Sequence, residues 1–294
     1  MCNYYFVTLC AEKCLLRIFF LCHYCKVDMD VIERNFFGLL ARSAFDEHFS
    51  TIPMSSWKWH KLAHLAVIHD VWIWLRRSIV EYKSDQNLNI PFDFDVTAYD
   101  KIAENNTSEK TNRLRRNKFL MRGYRKIVEK ERHSIDTSID TQYLLDLIVN
   151  NAETMLNSGL SIKGLIELGV WIRSRGQNVD FVKLEKWLNH LQLQGFASLE
   201  ASLLVVLFNF EMDELPFATR FRREAETIAE QALRNKRFAE EWHFRQSDSG
   251  FVVNNSKQLR RSMRRSLRFF HISPVLAVSN SVYNFIYSLK EIEE

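Results

Sequence analysis

His60 and His64 stand one helical turn apart in "WHKLAHLAVIHDVWIWLRR", and the pair His69-Asp70 follows. Imidazoles and a carboxylate at short spacing are the ligands of a zinc site or of a histidine-aspartate phosphohydrolase. At 100° per residue His64 lies about 40° from His60, His69 about 180° and Asp70 about 280°. One straight helix therefore cannot aim all four side chains at one ion. A zincin would need Glu after His60, where Lys61 stands. A histidine-aspartate site would need further ligands from other helices, for which Asp140 and Asp146 are the available carboxylates. His60 and His64 are kept as weak metal candidates on a stretch that reads mainly as a packing helix.

A second possible chemistry lies in "PFDFDVTAYD", where Asp93 and Asp95 would point the same way on an extended segment and could share magnesium. Arg115, Arg116 and Lys118 of "LRRNK" would then clamp a triphosphate. These cations belong to a run, residues 113–132, with nine Lys/Arg against Glu129 and Glu131. Another run, residues 257–268, has six Lys/Arg and no acid, with Arg261, Arg264, Arg265 and Arg268 sharing a helix face. Either run could meet nucleic-acid phosphate or an anionic surface. The simpler reading of each is a solvated helix face. All five cysteines, Cys2, Cys10, Cys14, Cys22 and Cys25, lie in the first 25 residues, which excludes a disulfide framework spanning the fold. Four of them could bind zinc, at a separation shorter than usual finger spacings.

The elements that must carry these residues are helices. The chain has 294 residues but only 8 glycines and 4 prolines, where average usage gives roughly 20 and about 15. Few breakers imply long helices, and no βαβ alternation is visible. The expected fold is all-α or nearly so, an irregular helical bundle. Residues 1–28 form a Cys-rich extension that a composition break before Met29 suggests is a non-native start. Residues 29–82 hold N-terminal helices, the second running from about Trp57 to Tyr82. Residues 83–140 are a polar, basic connector; 141–245 a helical bundle; and 246–294 a basic helix with a C-terminal helix. Gly159 suits a left-handed cap, Asp180 a helix N-cap, and "ASLEASLLVVLFNF" is apolar nearly all round, as in a central helix. No stretch reads as a membrane span or a signal peptide, so a cytoplasmic protein is expected.

From Leu144 to Phe217 the positions Gly159, Leu160, Leu165, Glu167, Trp171, Asp180, Leu184, Leu188 and Phe196 and the run Leu215-Pro216-Phe217 fall into a pattern. That pattern resembles the C-terminal helices of uncharacterised bacterial nucleotidyltransferases of the polymerase-β-like superfamily. "FFGLLARSAF" and "WKWHKLAHLAVIHDV" are similar to the two helices that open that family, so the resemblance covers about two-thirds of the chain. It implies a transferase core with a Gly-Asp-x-Asp strand holding magnesium, between the two blocks. In this chain no glycine is followed by Ser or Asp, and the interval from Tyr82 to Tyr143 reads helical and basic. Asn150 and Asn151 stand about where the family often has histidine, and Lys163 and Glu167 about where it has Arg or Gln and Asp.

The expected function is therefore that of a shortened, non-catalytic relative kept as a helical binding or interaction module, or else a decayed copy. It needs no cofactor, and its partner would be a protein or a nucleotide. The alternatives are an active magnesium-dependent nucleotidyltransferase using Asp93 and Asp95, and a binder of nucleic acid or an anionic surface through its basic helices.

Overall fold

In the computed structural model the described residues are 29–81, 90–91, 94–110, 117–134, 138–235, 264 and 266–290. The Cys-rich extension, Asp93, Arg115, Arg116, Arg261 and Arg265 lie outside them. The described residues are helices joined by loops and short 3₁₀ turns, with no strand among them. In chain order the helices are α1 (Val31–Phe45), α2 (Ser56–Ile68), α3 (Trp72–Glu81), α4 (Val96–Lys110), α5 (Lys118–Arg132) and α6 (Ile139–Asn157). After them come α7 (Ile162–Arg175), α8 (Phe181–His190), α9 (Gln194–Phe208), α10 (Glu224–Asn235) and α11 (Pro274–Lys290). The fold is all-α. No described helix is long and apolar enough to cross a membrane.

Local chemistry explains where these helices begin and end. Asp30 caps α1, accepting from Glu33 N while the Glu33 carboxylate accepts from Asp30 N, a reciprocal capping box. Gly159, at φ 100°, takes the left-handed conformation after α6, and Asp180 accepts from Lys183 N at the start of α8. The expected single helix from Trp57 to Tyr82 is instead two. Asp70 adopts φ 58°, Asp70 N donates to Val67 O, and Val71 N donates to Ala66 O. This is a Schellman stop placed on an aspartate, a residue that tolerates the left-handed region better than most.

The apolar α9 lies at the centre, in contact with α1, α6, α7, α8 and α10. Its buried face includes Phe196, Leu199, Leu203, Leu204 and Phe208. α1 packs on α2, α3, α7 and α9, and so joins the N-terminal helices to the rest. Buried apolar residues from Ile32 to Leu276 form one continuous cluster. At roughly 1.5–3 kcal/mol for each fully buried large side chain, that cluster is the main stabilising term.

Candidate functional site

The break at Asp70 reorganises the histidine-rich stretch. His69 is buried, its ring 6.0 Å from that of Phe36, while His60 and His64 face α4. There Tyr99 is the hub. Its hydroxyl lies 2.8 Å from His60 Nδ1, its ring meets His64 edge-on at 5.3 Å, and Phe94 stacks on it at 5.6 Å. Burial raises the Tyr99 pKa above 10.0, so the phenol keeps its proton while hydrogen-bonded to the imidazole. Nearby Asp100 accepts from Trp72 Nε1 at 2.7 Å and from Arg76 Nε at 3.0 Å, tying α4 to α3. Asp95 is exposed and accepts from both the backbone and the hydroxyl of Thr97. The Thr97 hydroxyl is the first cause that lowers its pKa, the role of a helix-start residue. Among the described residues no three His, Cys, Asp or Glu side chains are grouped so as to hold a metal ion.

Asn150, Asn151, Lys163 and Glu167 are likewise engaged with neighbouring groups. Asn151 Nδ2 donates to Gly164 O at 3.1 Å and to Glu200 Oε2 at 3.3 Å, joining α6, α7 and α9 in the core. A Cβ on Gly164 would collide with Asn151 Oδ1, so this approach of α7 to α6 requires glycine. Glu200 is fully buried; desolvation pushes its carboxyl well above 4.5, opposed by the Asn151 hydrogen bond. Asn150 donates to Asp146 on its own helix, and Lys163 pairs with Asp70 at 2.8 Å on the surface. Glu167, beside that pair, is raised first by burial, against the pull of Lys163.

The basic residues lie at two places. On α5, Lys118, Arg122, Arg125 and Lys126 are exposed at spacings that share one face, and Phe119, 66% exposed, stands beside Lys118. Near the start of α11, Arg264 and Arg268 are exposed.

A cavity of about 420 Å³ lies where three chain segments converge: the α8–α9 turn, the loop before α10 and the turn into α11. Each segment is fixed by hydrogen bonds. Ser198 and Ser202, one turn apart on the otherwise apolar α9, take the loop: Thr219 N donates to Ser198 Oγ and Arg222 N to Ser202 Oγ. Gln194 Nε2 donates to Phe217 O, and Ser273 Oγ donates to Gln192 O. Gly195 admits the backbone of Ile272, whose carbonyl a Cβ there would strike. The wall carries Asn189, Gln192, Gln194, Thr219, Arg220 and Arg222, with Ser273 and Pro274 at the mouth of α11.

The electrostatics of this wall are one-sided. Arg222 is buried, 9% exposed, and its Nε has no hydrogen-bond partner. Burial lowers its pKa, the neighbouring Arg220 lowers it further, and Glu224 opposes them. Glu224 is itself engaged by His271, 3.2 Å away. The first residues of both α9 and α11 are in the wall, and Leu193, at the N-cap of α9, offers no capping side chain. Sequence reading missed this site. Arg220 and Arg222 sit in "LPFATRFRREAE", which looks like an exposed charged loop after a breaker. Only the two serines inside an apolar helix hinted that polar backbone docks there.

The chain matches no protein-family model, no curated protein and no solved structure.

Proposed function

We propose that this chain is a non-catalytic helical binding module, a shortened relative of the nucleotidyltransferases that keeps their helices without their catalytic core. The observation that carries the reading is how the catalytic-type side chains are used. His60 hydrogen-bonds Tyr99, Asp95 binds Thr97 at the start of α4, and Asp100 ties Trp72 and Arg76. Each fixes one helix to another or starts one. Between Tyr82 and Tyr143 the described residues form α4, α5 and the first turn of α6, with no strand among them, which supports the same reading. The test is a thermal melt with each nucleoside triphosphate at millimolar concentration and magnesium. No magnesium-dependent shift is expected, and a saturable one that Asp95→Asn abolishes would overturn the reading.

A second reading is favoured by α5, whose exposed face sets Lys118, Arg122, Arg125 and Lys126 beside the exposed ring of Phe119. A cationic stripe with an aromatic edge suits a single-stranded nucleic acid, phosphates on the cations and a base on the ring. Retardation of a single-stranded oligonucleotide should weaken steeply with salt, and more than about tenfold in an Arg122→Glu/Lys126→Glu variant. Binding that ignores salt, or the double substitution, counts against it.

A further inference from the structure

We infer that the cavity between the α8–α9 turn, the loop before α10 and the start of α11 is a binding site for a small oxyanion, a metabolite carrying a phosphate or carboxylate group. The inference rests on the binding-module reading only for its purpose. The site would stand even if the chain proved to transfer nucleotides.

Three independent features point to negative charge. Two arginines, Arg220 and Arg222, share the wall, and among the described residues no ion pair holds either one. Two like charges side by side repel unless something between them is negative. Glu224 offsets part of the Arg222 charge but is shared with His271, 3.2 Å away, so one carboxylate stands against two arginines. Second, Arg222 is buried with its Nε unpartnered. A buried guanidinium without a partner is costly, and its charge is delocalised over all three nitrogens. Arg222 also lines the cavity, so an oxyanion bound there would offset the delocalised charge of the same side chain. Third, two helices present their N-terminal ends to this space. Gln194 and Gly195 open α9, and Ser273 and Pro274 open α11. The first N–H groups of α9 have no internal acceptor; at α11 Pro274 has no N–H and Ser273 N donates to Phe269 O, so that helix adds only the positive end of its dipole. α9 has no capping side chain to take that role.

The volume, about 420 Å³, sets the ligand's size. It suits a small metabolite rather than a polymer. Neutral donors and acceptors at Asn189, Gln192 and Thr219 would meet the rest of it.

The test is calorimetric titration of the full chain with inorganic phosphate, glycerol 3-phosphate and citrate, at matched ionic strength in sodium chloride. At least one probe should bind with one-to-one stoichiometry; phosphate or its ester against citrate tells which oxyanion the site prefers. Arg222→Met and Arg220→Gln should each weaken that binding about ten- to hundredfold. Arg222→Met removes an unpartnered buried charge, so without ligand it should melt no lower than the parent chain. Arg220 is exposed, so Arg220→Gln leaves the fold intact and keeps the test decisive if Arg222→Met misfolds. The inference is overturned if no probe binds saturably. It is equally overturned if both variants bind as the parent does, or if binding is instead lost in the Arg122→Glu/Lys126→Glu variant on α5.

Discussion

Glu200 shows how single residues here are committed to the frame. Its carboxyl is buried among α6, α7 and α9, with one oxygen on Asn151 and the other without a partner. Burial raises its pKa well above 4.5. The folded chain therefore holds a proton that the unfolded chain releases near 4.5, and stability falls as pH rises from there toward the folded value. Glu200→Gln lacks this titration. Its stability relative to the parent chain should rise between pH 5 and pH 8, by about 1.4 kcal/mol for each unit of the raised pKa crossed. Urea unfolding at the two pH values checks it; a difference that is flat or falls with pH would contradict the assignment. This residue was not legible in the sequence. In "ASLEASLLVVLF" a lone glutamate on an apolar helix looks like its solvent edge, and only the approach of Asn151 and Gly164 reveals that the helix has no such edge.

Among the elements, caps that rest on local chemistry could be read directly. Gly159 and Asp180 stop and start helices where their types predict. The division of α2 from α3 could not, because neither glycine nor proline marks it and the apolar pattern runs through. Tertiary contacts select it: Trp72 reaches Asp100, and Ser78 donates to Leu39 O on α1. If the left-handed turn at Asp70 sets this break, Asp70→Gly should be close to neutral, within about 0.5 kcal/mol. It relieves the backbone and loses only a half-buried ion pair with Lys163. Asp70→Val should cost about 1–2 kcal/mol or more, since a β-branched residue is disfavoured at this φ. Equal unfolding free energies for the two variants would show that the turn does not depend on this conformation. The loop before α10 belongs to the same lesson. Ser198 and Ser202 position Arg222 through backbone bonds, a tertiary arrangement that no spacing rule encodes.

At the scale of the whole molecule, the composition was the most informative signal. A chain with so few glycines and prolines had to be helical, and the central place of α9 followed from its unbroken apolarity. The candidate site was less legible, because buried charge depends on which helix ends meet. Polar contacts in the interior knit the helices together. Lys183 of α8 reaches Glu131 of α5 at 2.6 Å, and Asn117, before α5, donates through its N–H to Glu153 of α6 at 2.9 Å. His60 and Asp100 do the same work between α2, α3 and α4, the observation on which the proposed non-catalytic role rests. The most direct test is transfer of radiolabelled nucleotide from each α-labelled triphosphate, with magnesium or manganese, to the protein itself, to added protein and to RNA. The account predicts no metal-dependent incorporation above that of heat-denatured protein. Incorporation that needs the metal and falls at least a hundredfold in Asp95→Asn would contradict it.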